Sequence, residues 1–193
     1  MESSKLSFKF FIENPSSIPH ITEVVPVFHS WIQTHAIADH LLIDVADYAH
    51  VHNGPGIVLV SQEANYSLDT RGGRLGLTYQ RKQPIDGTFA DRARATLRST
   101  LEAARLIESA PAFEGRVKFR TDEIEFRLCD RLLAPNHPET FNAVRGDLLS
   151  LFGDAKLEYH PSARELFAVT IHPARNESLT KLLDRLGSVP THV

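Results

Sequence analysis

His50 and His52, separated by one residue, are the clearest indication of metal chemistry in the sequence. On a β-strand, residues two apart point the same way, so both imidazole rings would lie on one face. In the strand register predicted for residues 43–82, Glu63 shares that face. Imidazole and carboxylate ligands suit Zn, Fe or Mn. The pattern therefore predicts a divalent metal site of His50, His52 and Glu63, and its simpler alternative is a polar sheet face exposed to solvent.

Residues 36–50 also allow a helical interpretation with a different metal grouping. On a helix, His40, Asp44 and Asp47 follow each other at i, i+4 and i+7 and share one face. That face is compatible with a divalent cation, although a solvated helix face is the simpler interpretation. We favour a strand for the later part of residues 41–52, because a turn and a β-branched run follow it.

Two arginines flank a Gly-Gly pair and suggest a site for an anion. A two-residue turn at Gly72-Gly73 would place Arg71 directly across from Arg74, and like charges at such a pair are destabilising. A carboxylate or phosphate bound between the two guanidinium groups would reverse that cost. We therefore predict that Arg71, Arg74 and the neighbouring Asp69 bind a small anionic ligand. The alternatives are side chains extended into water, or an internal carboxylate partner whose loss would lower stability.

The single cysteine, Cys129, excludes an intramolecular disulfide and a paired-cysteine zinc or redox motif. Arg127 and Arg131 flank it and would favour a thiolate if the side chain were exposed, whereas a covered, inert thiol is the simpler interpretation. The sequence contains no nucleophile elbow, phosphate loop or dinucleotide-binding glycine pattern. Whether the protein is an enzyme therefore stays open.

These candidate residues must be positioned by alternating strands and helices, which hydrophobic periodicity and turn residues locate. Thr88 and Asp91 predict the start of the longest helix, with Ala93, Leu97, Leu101 and Ala104 as its buried stripe. The predicted helices span residues 24–33, 88–108, 136–152 and 176–186, the last capped by Asn176. The predicted strands span residues 5–13, the later part of 41–52, 57–69, 74–82, 116–120, 124–130, 156–160 and 166–172.

Two predicted hairpins define the register of the sheet. In the first, Tyr66 lies opposite Tyr79 and Leu68 opposite Leu77, so these four side chains share the core face. Five further residues are expected on that face: Ile43, Val45, Val51, Val58 and Val60. The second hairpin turns at Thr121-Asp122, between residues 116–120 and 124–130.

Strands that come mostly as hairpins imply antiparallel pairing, with helices packed on one face of the sheet. The predicted fold class is therefore α+β. The order βαβββα followed by ββαββα indicates one domain, residues 1–193, made of two related βα lobes. The first lobe covers about residues 1–110 and the second about 111–193, since each half is smaller than a usual domain.

Composition narrows the classes of partner. Formal net charge is −3, which argues against a dedicated nucleic-acid binder with a large basic surface. The charge is uneven, since residues 71–98 carry seven basic and two acidic side chains. The apolar run near the N-terminus is too short for a secretory signal, and no run approaches the ~18 residues of a membrane span. With one cysteine, a cytoplasmic protein without nucleic-acid or membrane partners is expected.

Three functions are compatible with these features. We favour a non-enzymatic binding or regulatory module for a small anionic molecule, held by Arg71, Arg74 and Asp69. The first alternative is a metal-dependent enzyme in which His50, His52 and Glu63 hold the ion and Tyr48 or Asp44 assists proton transfer. The second alternative is a structural homo-oligomer whose exposed sheet face is an interface.

Overall fold

A computed structural model describes Ser3 and residues 5–187, in which eight strands form one antiparallel sheet. The strands are β1 (Leu6–Ile12), β2 (Leu42–Tyr48), β3 (Gly56–Ser61), β4 (Ala64–Asp69), β5 (Gly76–Arg81), β6 (Phe119–Leu128), β7 (Ala155–Tyr159) and β8 (Phe167–Pro173). Their order across the sheet is β2-β3-β4-β5-β1-β6-β8-β7. The first strand therefore lies at the centre, between β5 and β6.

The described residues form four α-helices, of which α1, α2 and α3 contact the sheet and α4 packs on α2, in agreement with the predicted α+β class. They are α1 (Val25–Thr34), α2 (Phe89–Glu108), α3 (Pro138–Phe152) and α4 (Leu179–Leu186). The helix α2 contacts the central strands β1 and β5, while α1 lies against β2 and α3 against β7 and β8. Alternate residues of β1, namely Leu6, Phe8, Phe10 and Ile12, join the buried cluster beneath the helices.

The longest helix begins and packs as predicted. The amide of Asp91 donates to the Thr88 hydroxyl at 3.2 Å, and the amide of Thr88 donates to the Asp91 carboxylate at 2.9 Å. This reciprocal pair satisfies two amides that a helix start would otherwise leave unpaired. The four residues of the predicted stripe, Ala93, Leu97, Leu101 and Ala104, are all buried.

The register of β4 and β5 is also confirmed, since Tyr66 pairs with Tyr79 and Leu68 with Leu77. The prediction for β3 is wrong by one residue. A turn at Gln62–Glu63 divides residues 57–69 into β3 and β4, so that Leu59 lies opposite Tyr66. Pairing across that turn reverses the parity of the faces. The core consequently receives Ile57 and Leu59 in place of Val58 and Val60.

The predicted hairpin at Thr121-Asp122 is wrong, because β6 runs without interruption from Phe119 to Leu128. Its pairing with β1 shifts between Phe10, opposite Ile124, and Ile12, opposite Phe119. This irregularity lets Phe119 and Ile124 both lie on the buried side, although they are five positions apart and a regular strand would place them on opposite faces. Two steps along β1 match five along β6, and this shift redirects the side chains of residues 119–124.

Three smaller corrections concern the segments around β2 and α4. The strand β2 occupies the earlier part of residues 41–52, so the helical interpretation of residues 36–50 is wrong. A loop of residues 49–55 replaces the tight turn expected at Asn53–Gly56. The cap of α4 is Ser178 rather than Asn176.

No helix within the described residues is both long enough and apolar enough to cross a lipid bilayer.

Candidate functional site

The predicted metal ligands lie at opposite ends of the β2–β3 hairpin. His50 and His52 are exposed in the loop that follows β2, at the end where Tyr48 pairs with Gly56. Glu63 lies in the turn after β3, where its carboxylate accepts a hydrogen bond from the Leu41 amide at 2.9 Å. The strand between these ends separates them by about 20 Å at the usual rise per residue. The structure therefore does not bring the three predicted ligands together.

The second grouping, His40, Asp44 and Asp47, depended on a helix that is absent. On the strand β2, Asp44 and Asp47 lie on different faces and are both exposed, whereas His40 precedes the strand. Across Ser3 and residues 5–187, no three His, Cys, Asp or Glu side chains are grouped so as to hold a metal ion.

The predicted anion clamp lies in the connection between β4 and β5. The strand pairing ends at Asp69, opposite Gly76, and residues Arg71–Gly73 form a 3-10 turn. Beyond the last strand pair, Arg71 and Arg74 flank Gly72-Gly73 as predicted, and the Arg74 amide donates to the Arg71 carbonyl at 3.4 Å. Anion binding between the two side chains stays a prediction. Gly72 and Gly73 adopt φ of 67° and 72°, a conformation that glycine tolerates best.

Asp69, the third residue of that clamp, is buried and already has protein partners. Its carboxylate accepts from the Lys9 ammonium at 2.6 Å, from the Thr78 hydroxyl at 2.6 Å and from the Arg71 amide at 2.9 Å. Lys9 also donates to the carbonyl of Arg74 at 2.8 Å. Both oxygens of the Asp69 carboxylate therefore have partners, and its hydrogen bonds hold the β4–β5 loop against the sheet.

Arg74 has an internal carboxylate partner, which was one of the alternatives for this residue. Its guanidinium lies 2.6 Å from Glu123 and 3.5 Å from the centre of the Phe11 ring. Glu123 also pairs with Arg120 at 3.3 Å. The hydrogen bond from Arg74 is the main cause that holds the pKa of Glu123 below its ordinary range. Arg74 therefore links the β4–β5 loop to residues 119–124 of β6, where the pairing with β1 shifts.

Cys129 is partly buried, and burial raises the pKa of its thiol despite the neighbouring Arg127. A thiol held in its protonated form is a poor nucleophile. The inert interpretation of this cysteine is therefore the one that its environment favours.

A different cluster combines histidine, tyrosine and arginine beneath α2. His40, from the segment before β2, approaches the Tyr79 hydroxyl with its Nε2 atom at 3.0 Å. The guanidinium of Arg81 donates to the same hydroxyl at 3.2 Å. Tyr66, the cross-strand neighbour of Tyr79, lies with its ring centre 4.9 Å away. We call His40, Tyr66, Tyr79 and Arg81 the Tyr79 cluster.

Hydrogen-bond direction in the Tyr79 cluster follows from the available donors. His40 Nδ1 lies 3.3 Å from the carbonyl of Ala38, which can only accept, so Nδ1 carries a proton. In the neutral ring Nε2 is then an acceptor, and the Tyr79 hydroxyl donates to it. The Tyr79 oxygen in turn accepts from Arg81. Burial lowers the pKa of His40, which favours this neutral form.

The hydroxyl of Tyr66 is buried and has no hydrogen-bond partner among the described residues. Its side chain is fully inaccessible to solvent, and burial raises its pKa. An unpaired buried hydroxyl costs about 1–3 kcal/mol of stability. The hydroxyl is therefore a donor that the described residues leave without an acceptor.

Arg81 contributes a positive charge that the protein does not neutralise by direct contact. Its side chain is half-buried, and within residues 5–187 no carboxylate oxygen lies within 4.0 Å of it. Its Nε atom donates to the carbonyl of Gln83 at 2.9 Å, and one terminal nitrogen is occupied by Tyr79 and His40. The other terminal nitrogen remains as a donor. Arginine donors of this kind bind carboxylates and phosphates.

Sequence reasoning assigned Tyr66 and Tyr79 to the core but did not identify the cluster. One signal was available: Arg81 follows Tyr79 by two residues and so shares its face of β5. Buried tyrosine hydroxyls need partners, which makes a charged residue on the same face informative. No periodicity could have indicated His40, because the segment that carries it is neither helix nor strand.

Comparison with known proteins gives no further guide to this site: no family model, no curated protein and no solved structure matches the chain.

Proposed function

We propose that the protein binds a small anionic molecule at the Tyr79 cluster, as a binding or regulatory module rather than through the Arg71–Arg74 clamp. The observation that carries the proposal is the half-buried Arg81 guanidinium, without a carboxylate within 4.0 Å, beside the unpaired buried hydroxyl of Tyr66. Arg81 supplies the charge at the accessible side of the cluster, and the Tyr66 hydroxyl, which is closed to solvent, becomes a second donor when the cluster opens to admit the ligand. A carboxylate or phosphate oxygen accepts from both kinds of group.

The electrostatic environment favours an anion over a neutral ligand. Burial is the main cause that lowers the pKa of His40, and the positive charge of Arg81 lowers it further. Only the second effect is one that a bound anion relieves, because burial disfavours charge of either sign. A bound anion reverses that balance, because an opposite charge nearby favours the protonated imidazole. Anion binding at the Tyr79 cluster is therefore expected to raise the pKa of His40 and to strengthen on acidification.

The other proposed functions have less support from the described residues. A metal-dependent enzyme built on His50, His52 and Glu63 would need ligands that the hairpin holds about 20 Å apart. Anion binding by Arg71 alone stays a prediction, since Arg74 and Asp69 have internal partners. Location in the cytoplasm stays a prediction from the single cysteine.

Isothermal titration with inorganic phosphate, and separately with acetate, tests the proposal at low ionic strength. Wild-type protein is expected to bind at least one of the two saturably. Arg81→Gln removes the charge at the Tyr79 cluster and should weaken that binding about tenfold or more, the scale of a charged hydrogen bond. Arg71→Gln removes the same charge from the β4–β5 loop and is the matched control.

The two arginine variants separate the possible outcomes. Weakened binding in Arg81→Gln with unchanged binding in Arg71→Gln supports the Tyr79 cluster. The reverse pattern would transfer the site to the β4–β5 loop, and no saturable binding of either anion to wild-type protein would contradict the proposal. Circular dichroism of each variant checks that the substitution leaves the fold intact.

A further inference from the structure

The imidazole of His40 lies where the rest of the Tyr79 cluster presents donors to an acceptor. Its Nε2 atom is 3.0 Å from the Tyr79 hydroxyl and 3.4 Å from a terminal nitrogen of Arg81. The ring meets both tyrosines edge to face, with its centre 5.6 Å from that of Tyr66 and 5.8 Å from that of Tyr79. His40 is partly exposed, whereas both tyrosine side chains are fully buried. The imidazole therefore separates the tyrosines from solvent on this side of the cluster.

The segment that carries His40 has few attachments to the rest of the protein. The Ala36 amide donates to a carbonyl of α1 at 3.0 Å, and the Leu41 carbonyl accepts from an amide of the β3–β4 turn at 3.0 Å. Between these points, no backbone hydrogen bond joins residues 37–40 to another element of the described chain. Ile37 is buried and holds the start of the segment, whereas the two residues that follow it are exposed. The imidazole can therefore leave the cluster at the cost of its own side-chain contacts alone.

We infer that His40 occupies the place of the ligand, and that the ligand is a small aromatic carboxylate which displaces the imidazole. This inference rests on the anion-binding function proposed for the Tyr79 cluster and specifies the class of ligand. A carboxylate oxygen at the position of Nε2 accepts from the Tyr79 hydroxyl and from Arg81, as the imidazole nitrogen does in the unliganded protein. The second terminal nitrogen of Arg81 is a donor for the other carboxylate oxygen, in the two-point pairing typical of arginine.

The surroundings of the imidazole favour a ligand with a flat aromatic ring. Tyr66 and Tyr79 contact the present ring edge to face, and aromatic pairs in this arrangement are stabilised beyond the area that they bury. A ring with an attached carboxylate keeps the planar shape of the group that it replaces. Phosphate is tetrahedral, and neither phosphate nor acetate has a ring to contact the tyrosines. An aromatic carboxylate should therefore bind more tightly than either of these anions at the same place.

Displacement links ligand binding to protonation of His40. In the unliganded protein its pKa lies below the ordinary value of 6.5, mainly because of burial and further because of Arg81. The hydrogen bond to Ala38 and the negative charges of Glu63 and Asp39 oppose this shift without cancelling it. An imidazole displaced into water regains the ordinary pKa and takes up a proton below pH 6.5. Affinity for the carboxylate should therefore increase as the pH falls through that value.

Calorimetric titration of the full chain with benzoate, and separately with cyclohexanecarboxylate, tests the ligand class. Both carry one carboxylate, but only benzoate has a flat ring, so wild-type protein should bind benzoate more tightly. His40→Ala vacates the place of the ligand and should tighten benzoate binding about three- to tenfold, the scale of the neutral hydrogen bond that benzoate no longer has to replace. His29→Ala removes an exposed histidine of α1 and is the matched control, with unchanged affinity.

The pH dependence of benzoate binding tests the displacement. Between about pH 7.5 and 5.5 benzoate stays ionised, so its affinity for wild-type protein should rise several-fold through His40 alone. His40→Ala should lose this increase, and His29→Ala should keep it. Histidine ring signals in NMR give a second measurement that needs no variant: saturating benzoate should raise the pKa of His40 toward 6.5. Circular dichroism checks that both variants fold.

The outcomes separate this inference from the proposed function. Tighter benzoate binding in His40→Ala, with loss of the pH dependence, supports displacement. Acetate or phosphate binding that depends on Arg81, with benzoate no tighter than cyclohexanecarboxylate, would overturn the aromatic ligand class and leave the anion site in place. Benzoate binding that leaves the pKa of His40 unchanged would overturn the displacement. Failure of every one of these anions to bind would contradict the proposed function as well.

Discussion

Lys9 and Asp69 form an ion pair of 2.6 Å on the face of the sheet opposite the helices, with side-chain exposures of 4% and 0%. Lys9 comes from the central strand β1, whereas Asp69 ends β4. Their contact, with the Lys9 hydrogen bond to the Arg74 carbonyl, attaches the β4–β5 loop to the middle of the sheet. Burial is the largest influence on Lys9 and lowers its pKa, so the paired carboxylate is needed to hold the charge.

Removal of the Asp69 carboxylate should therefore be costly. We expect Asp69→Ala to lower the free energy of unfolding by about 3–5 kcal/mol, because it leaves the buried Lys9 ammonium unpaired. Glu158→Ala breaks the exposed pair with Lys156 and should cost much less. Urea denaturation of both variants measures the difference. If both variants lose the same free energy of unfolding, the buried pair contributes no more to stability than the exposed one.

Leucine burial provides a direct check of the core. Leu101 of α2 is fully buried, whereas Leu132 is 93% exposed. Leu101→Ala should lower the free energy of unfolding by about 2–5 kcal/mol, because it leaves a cavity beneath the helix. The same substitution at Leu132 should change it by less than about 0.5 kcal/mol. A small loss at Leu101 in the same denaturation experiment would mean that the face of α2 is wrongly assigned.

Loss of the hydroxyl should affect the two tyrosines of the Tyr79 cluster in opposite ways. Tyr66→Phe removes an unpaired buried hydroxyl and should raise the free energy of unfolding by roughly 1–3 kcal/mol. Tyr79→Phe leaves His40 and Arg81 without their shared partner and should lower it by a similar amount. Chemical denaturation in a buffer without multivalent anions measures both. A Tyr66→Phe protein as destabilised as Tyr79→Phe would mean that the Tyr66 hydroxyl has a partner.

The pair of Arg74 and Glu123 predicts a pH dependence of stability. Arg74 holds the pKa of Glu123 below its ordinary value of 4.5, so in acid the unfolded chain binds this proton more readily than the folded protein. Stability gained from the pair is therefore present above pH 4.5 and is lost as the pH falls through the folded pKa.

Comparison with variants isolates that contribution. The stability difference between wild-type protein and Arg74→Gln should be largest at neutral pH and should shrink in acid. Arg71→Gln removes a neighbouring charge that has no carboxylate partner within the described residues, so its difference should vary much less with pH. Urea denaturation across this pH range measures both differences. Parallel profiles for the two variants would contradict a specific role for Glu123.

Local sequence signals predicted much of the fold but missed one turn and placed another where the strand is continuous. The capping pair Thr88 and Asp91 and the opposed tyrosines depend on residues close in sequence, and both are confirmed. The turn at Gln62–Glu63 contains neither glycine nor proline, so residues 57–69 resembled one strand. At Thr121-Asp122 polar residues suggested a turn, yet β6 continues through them and pairs with β1 on both sides of a register shift. In both segments the observed strand boundaries follow the pairing with neighbouring strands rather than the local residue types.

The candidate site was harder to predict, because its members come from three separate places in the chain. His40 meets Tyr79 only through the packing of the segment before β2, which no periodicity indicates. The internal partner of Arg74 was hard to predict for a related reason. Arg74 pairs with Glu123 of β6. The two residues are 49 positions apart, so reasoning from the β4–β5 hairpin alone could not identify that contact.

Observation of the arginine side chains during phosphate titration tests the central claim most directly. The Nε–Hε groups of Arg71, Arg74 and Arg81 can be resolved in ¹H–¹⁵N spectra and assigned with single Arg→Lys variants. If phosphate binds at the Tyr79 cluster, the Arg81 signal shifts saturably, while those of Arg71 and Arg74 change little. A saturable shift of Arg71 or Arg74 with Arg81 unaffected, or no saturable shift of any of the three, would contradict the account.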